Sequence, residues 1–318
     1  MTSKSFSRRS FLRHSSLAAL SLPLAPLAGN SMNRKNMEVE PLETHVFSKH
    51  LQFLDYPSLA ATVKEIGFDG ADLTVRPGGH VDPGKVEGQL PKAVEALKGK
   101  GLKIRMMTTA VTDAANPRSR KVLETAAELG FKQYRMGYYR YNDEQSIPAA
   151  MQIFQGKMAE LARLNRELDL QGAYQNHAGT YVGASMWEIW QLVKDAEEGV
   201  GCQYDIRHAV VEGGRSWTTG LRLIRPWITN IVLKDFRWEQ VNGKWETVNT
   251  PLGEGMVDFK TYFGILKEYG IQPAASLHLE YDLGGAEHGR RDIEVKPDKV
   301  YEAMRRDLET AQRLWRES

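Results

Sequence analysis

From residue 44 onward the chain alternates short runs of β-branched and apolar residues with longer stretches whose apolar positions recur every three or four residues. The short runs cover residues 44–47, 70–74, 103–108, 133–136, 170–175, 201–204, 230–233 and 275–280, and predict eight strands. Helical patterns fill the gaps, over residues 58–66, 90–97, 118–129, 146–168, 186–193, 259–269 and 298–315. Leu59, Val63 and Ile66 share one face of a segment that stops at Gly67. The stretch after Asn116-Pro117 ends at Gly130, a proline-first, glycine-last order that suits a helix. Ser146 caps a segment whose Phe154, Met158, Leu161, Leu164 and Leu168 form a stripe. Strand and helix in repeated alternation predict a parallel sheet. No Gly-x-Gly-x-x-Gly follows the first strand, which removes the usual reason to expect an open dinucleotide-binding sheet. The expected fold is one (β/α)8 TIM barrel over residues 44–318.

The first 29 residues break the pattern. Ser7-Arg8-Arg9-Ser10-Phe11-Leu12-Arg13 precedes an apolar run from Leu17 to Ala28 that contains no acid. This reads as a twin-arginine export signal over residues 1–29, followed by a polar, proline-punctuated linker over 30–43. The apolar run is too short for a membrane span, which needs about 20 residues, so no stable membrane anchor is expected. Export would place the mature protein in the periplasm or outside the cell. The segment holds four of the 42 basic residues and no acids, leaving 38 bases against 40 acids. So balanced a chain lacks the basic stripe that a nucleic-acid partner requires. The single cysteine, Cys202, cannot form an intramolecular disulfide.

Candidate chemistry gathers at strand ends. Tyr174-Gln175-Asn176-His177, Tyr204-Asp205-Ile206-Arg207-His208, Leu233-Lys234-Asp235 and His278-Leu279-Glu280-Tyr281 each close an apolar run. In a parallel barrel every strand's C-terminal end opens on the same face, where these clusters converge. Ser276, His278 and Glu280 alternate onto one side of their strand, which puts Glu280 at the rim. Earlier in the chain His50, Arg76 and His80 are candidate substrate contacts, and Gly78-Gly79 a loop over the mouth. Tyr138, Tyr139 and Trp238 are candidate stacking surfaces at the mouth.

Gly67-Phe68-Asp69-Gly70-Ala71-Asp72-Leu73, Tyr174-Gln175-Asn176-His177, Leu233-Lys234-Asp235-Phe236 and Gly253-Glu254-Gly255-Met256-Val257-Asp258 together resemble the sugar phosphate isomerase/epimerase family, the xylose-isomerase-like TIM barrels. The resemblance spans nearly the whole chain after the linker. It implies a small-molecule carbohydrate substrate and one divalent metal ion (Mn, Mg, Zn or Co) held by strands five to eight. Asp205, His208 and Glu280 match family positions; Gln175 stands where a glutamate or histidine is usual, and Val232 where a histidine is usual. A metal would then be held by Glu280, Asp205, His177, Gln175 and His278.

These residues suit proton abstraction next to a carbonyl, with Glu280, His208 and Lys234 as the catalytic groups and Asn176 and Asp235 joining the substrate contacts. Isomerisation, epimerisation and elimination share that first step. Export argues against a phosphorylated substrate, since free sugar phosphates are chiefly cytoplasmic. The competing reading is a carbohydrate-binding barrel with a degenerate metal site, for which Gln175 and Val232 speak. A multi-metal nuclease would need more histidines than the 8 present.

Overall fold

A computed structural model describes residues 40–196 and 198–318. The export signal and most of the linker lie outside the described residues. Eight parallel strands close into a barrel: β1 (Thr44–Phe47), β2 (Gly70–Val75), β3 (Met106–Thr109), β4 (Gln133–Arg135), β5 (Gln171–Gln175), β6 (Val200–Asp205), β7 (Ile228–Leu233) and, after an antiparallel hairpin of β8 (Asp235–Val241) and β9 (Lys244–Thr250), β10 (Ala274–Leu277). Closure is made by β1, which pairs with β2 through His45 and Gly70 and with β10 through Val46 and Leu277. The expected single (β/α)8 barrel is the observed fold.

The helices are α1 (Tyr56–Ile66), α2 (Val86–Gly99), α3 (Pro117–Leu129), α4 (Ile147–Glu167), α5 (Met186–Val193), α6 (Ile206–Gly213), α7 (Trp217–Ile224), α8 (Phe259–Glu268) and α9 (Pro297–Arg316). Their ends follow local chemistry. Asp55, Asn116 and Ser146 accept first-turn amides of α1, α3 and α4, and a capping box of Ser185 and Glu188 opens α5. Gly67 ends α1 in the left-handed region at φ 104°, where a side chain would be strained.

Alternation divides the strands into two faces. Leu73, Met107, Tyr134, Tyr174, Tyr204, Ile231 and Leu277 are buried in the continuous apolar layer between sheet and helices. The opposite face fills the barrel with polar groups rather than the branched aliphatics usual there. Asp72 accepts from Thr108 and Ser276 hydroxyls at 2.9 and 2.7 Å, tying β2, β3 and β10 across the interior. Such a core is specified by its hydrogen bonds more than by packing volume.

Two departures from the sequence expectation concern connections. Residues 40–43, assigned to the linker, are pinned to α9: Gln312 bonds both the amide and carbonyl of Leu42, and the Trp315 indole donates to the Glu40 carbonyl at 2.9 Å. The β8–β9 hairpin was not anticipated either. Its turn is Asn242-Gly243, both left-handed (φ 52° and 78°), the dipeptide that two-residue hairpins favour.

Candidate active site

Lys234 sits just past β7, where the chain leaves the barrel for the hairpin, and its side chain turns inward. The ammonium lies 2.8 Å from His208 Nε2, 3.1 Å from Asp205 Oδ2 and 3.2 Å from Glu280 Oε2, and the residue is only 3% exposed. Burial works against this charge, but the carboxylates of Asp205 and Glu280 outweigh it and raise the lysine above its ordinary value. Lys234 is therefore an ammonium held at the centre of three strand ends.

Each neighbour is placed by its own element. Asp205 ends β6 and caps α6 through the His208 amide at 3.1 Å, while Gln175 at the end of β5 donates to its other oxygen at 2.7 Å. Asn176 grips the Asp205 backbone at both N–H and C=O, at 2.7 and 2.9 Å, so it positions Asp205. His208 lies against His177, with ring centroids 4.1 Å apart and the planes tilted by 32°. Burial first, then the charge of Lys234 and the neighbouring His177, hold the His208 ring far below the usual histidine range. It is neutral and accepts from Lys234.

Glu280 follows β10 and faces the opening. Its Oε1 takes Lys49 at 3.2 Å and lies 3.8 Å from His278 Nδ1. Burial opposes its charge, yet Lys234, the His278 contact and Lys49 together hold the carboxyl well below the usual range. His278, pushed down to about 3 chiefly by burial, is a neutral ring one layer lower that bonds Ser276 at 3.1 Å. Above these groups lies a polar cavity of about 210 Å³, lined by Lys49, Arg76, Arg135, His177, Lys234 and Glu280 with Phe47, Tyr138, Gln175, Tyr181 and His278. A larger hollow of about 660 Å³ opens at the opposite, N-terminal end of the strands, around Gln133, Gln171 and Trp227. Active sites of this fold are built at the C-terminal end, so the smaller cavity is the candidate.

The structure thus brings together Glu280, Lys234, His208, Asp205, His177, Gln175, His278 and Arg76. It does not bring in Asn176, fully buried with its amide bonded to the Asp205 backbone, nor His50, His80 or Asp235. His50 is fully buried and its Nε2 accepts the Leu279 amide at 3.0 Å, supporting the backbone beside Glu280. His80 is enclosed by Ser48 and Thr74 hydroxyls and the Leu51 carbonyl. Asp235 turns away from the mouth and accepts the amides of Phe236, Gly253, Gly255 and Val257 at 2.8–3.1 Å. A side chain at position 255 would collide with that carboxylate, which explains the glycine between Glu254 and Met256. Tyr138 lines the cavity, whereas Tyr139 packs behind it on Phe154 and Trp238 is exposed on the hairpin.

Lys49 and Arg135 were missed by sequence reading. Both sit at strand ends, just past β1 and at the last position of β4, and that position alone was the available signal. The hairpin also reaches the site, since Asn249 donates to the Glu280 carbonyl at 3.1 Å.

The expected metal ligands do not assemble. Among the described residues no three His, Cys, Asp or Glu side chains converge as a cation site. The physical reason is Lys234: its ammonium already occupies the point between Asp205 and Glu280 where a cation would bind. Gln175 and Val232 subtract an anion and an imidazole from the set, and Lys49, Arg76 and Arg135 surround what remains with positive charge. A dication fits this donor set poorly.

A family model described as xylose isomerase-like TIM barrel matches residues 60–306. No curated protein sequence is similar enough to be matched to the chain. Among solved structures, the probable 3-DHS dehydratase of petrobactin synthesis from Bacillus anthracis is 15% identical, with a TM-score of 0.62 over 83% of this chain and 97% of its own. The 3-keto-D-glucoside 4-epimerase from E. coli is 14% identical, with a TM-score of 0.60 over 82% and 97%. A xylose isomerase-like barrel from Mycobacterium smegmatis, solved in complex with magnesium, is 14% identical, with a TM-score of 0.59 over 84% and 97%. Likeness at this level of identity shows the shared fold.

Proposed function

This chain belongs to the xylose isomerase-like TIM-barrel family, and from that premise we propose that it is an exported enzyme acting on a sugar or keto-sugar by proton abstraction next to a carbonyl. The observation that carries the reading is the Lys234 ammonium, fixed by Asp205 and His208 beneath a cavity that Glu280 lines. An enediolate forming in that cavity meets a preorganised positive charge whose orientation is already set, and such electrostatic stabilisation is commonly the largest catalytic contribution.

Glu280 is the base. Its carboxylate faces the cavity while Lys49 and Lys234 hold it ionised in the resting site. A substrate carbonyl that draws Lys234 toward itself weakens that hold and makes Glu280 more basic when the proton is to be taken. His177, a neutral ring in the same cavity three strands around the barrel, spends its one ring proton on the Ala178 carbonyl at 2.9 Å, so its Nε2 accepts from a substrate hydroxyl and the proton is returned by Glu280 or by water. Reprotonation at the second carbon gives isomerisation and at the second face epimerisation; departure of a β-substituent gives elimination. The metal-assisted version of this chemistry, expected from the family resemblance, conflicts with the position of Lys234.

The neighbour named a 3-keto-D-glucoside 4-epimerase is consistent with a keto-substrate whose α-proton is acidic. Gln175 and Val232 favour a second reading, a barrel that binds carbohydrate without turning it over. Incubating the protein with a panel of keto-sugars in D2O separates the two. Deuterium entering carbon next to the carbonyl, and lost in Glu280→Gln, supports the enzyme; saturable binding with no exchange on any sugar supports the binding barrel.

A further inference from the structure

The charges around the cavity do not balance. The two lysines each have carboxylates: Lys234 bonds Asp205 and Glu280, and Lys49 bonds Glu280. Among the described residues the two arginines have none. Arg135 is 6% exposed, and its Nη1 donates only to neutral oxygens, Gln175 Oε1 at 2.9 Å and the Tyr138 hydroxyl at 3.2 Å. Its Nε has no partner among the described residues. Arg76 lies over the Phe47 ring at 5.4 Å, and its side chain makes no hydrogen bond or ion pair among the described residues. The buried acid beneath them, Asp72, has its two oxygens taken by Thr108 and Ser276.

Burying an unpaired charge is costly, and guanidinium groups cannot shed theirs by deprotonation. Two of them facing one small cavity also repel. Burial first, then the charge of Arg135, pull the Arg76 guanidinium below its ordinary value. A fold has no stability reason to keep this arrangement. A ligand that brings an anion supplies one, because the planar fork of a guanidinium matches a carboxylate or phosphate at two points.

We propose that Arg76 and Arg135 form an oxyanion subsite, so that the sugar bound at this mouth carries an anionic group, a carboxylate or a phosphate, held on the β2–β4 side while Glu280 and Lys234 face the reacting carbons. The inference rests on the reading of the mouth as a sugar site and narrows its substrate to acidic sugars.

The test is calorimetric titration of the full chain with D-glucuronate, glucose 6-phosphate and D-glucose, in wild type, Arg76→Gln, Arg135→Gln and Glu280→Gln. Either anion binding about tenfold or more tightly than glucose, with the preference lost in both arginine variants and kept in Glu280→Gln, supports the subsite. Whichever anion binds more tightly identifies its source as carboxylate or phosphate. Thermal unfolding guards against misfolding: Arg76→Gln, which breaks no side-chain hydrogen bond or ion pair among the described residues and loses only the contact with the Phe47 ring, should melt close to the wild-type temperature. Equal binding of glucose, no binding of either anion at millimolar concentration, or a preference unaffected by both arginine substitutions overturns the proposal. Anion binding without deuterium exchange would sink the catalytic reading alone. Exchange on neutral sugars with no preference for anions would sink the subsite alone.

Discussion

Lys234→Met removes the ammonium at the centre of the mouth while keeping the length of the side chain. Asp205, fully buried, would then rest on two hydrogen bonds, from Gln175 Nε2 at 2.7 Å and the His208 amide at 3.1 Å, with no cation in contact. Removing one partner of a buried ion pair costs about 3–5 kcal/mol, because the other charge stays desolvated. The Glu280 side of the contact is 26% exposed, so solvent screens part of its loss and the lower end applies. A loss of about 3 kcal/mol corresponds to a melting temperature lower by roughly 6–12 °C for a domain of this size. Urea unfolding followed by tryptophan fluorescence reads it directly. The same measurement on Asp205→Asn and on the double variant isolates the pair, with a coupling of at least about 1 kcal/mol expected. A Lys234→Met protein as stable as wild type, or three variants whose effects simply add, would refute the view that this lysine and Asp205 are a coupled buried pair.

Other expectations follow from the same geometry. Lys234→Ala vacates the point between Asp205, His208 and Glu280 and should create a divalent-ion site; Mn²⁺ bound by the variant and not by wild type, read by electron paramagnetic resonance, checks it. His80 is pushed down from 6.5 to about 4 by burial, against the partial support of the Leu51 carbonyl. Because the unfolded chain takes up this proton near pH 6.5 and the folded one only near pH 4, the contribution, about 3 kcal/mol, is full above pH 6.5 and is lost on acidification toward pH 4. His80→Gln should flatten the stability profile across that interval, and an unchanged slope would count against the assignment. Asp235→Ala leaves the amides of Gly253, Gly255 and Val257 without their acceptor; hydrogen exchange at those residues should accelerate by about tenfold or more.

The barrel was legible because it is written in two periods. Runs such as 230–233, buried on both faces, and stripes such as Phe154, Met158 and Leu161 leave little room for another architecture. The mouth was half legible. Glu280, Lys234, Asp205 and His208 stand at strand ends, and the fold gathers such positions. Arg135 carries no such mark, since a lone arginine in a three-residue strand looks like any edge charge until β4 and β5 pair and lay it against Gln175. His50, His80 and Asp235 show the converse. Their side chains have the right chemistry, but each forms hydrogen bonds to neighbouring backbone or hydroxyl groups, which strand position does not reveal. The metal expectation came from the resemblance and depends on side-chain direction: Lys-Asp after β7 reads the same whether the lysine points to solvent or, as here, into the barrel.

The central claim is that an ammonium, not a metal ion, stabilises the charge that Glu280 creates on the substrate. The most direct measurement is deuterium incorporation from D2O into a keto-sugar by protein dialysed against a strong chelator, compared with the same protein resupplied with Mn²⁺ or Mg²⁺. The account predicts equal exchange in both samples and none in Glu280→Gln or Lys234→Met. Exchange that appears only on adding the divalent ion, or that survives in Lys234→Met, would contradict it.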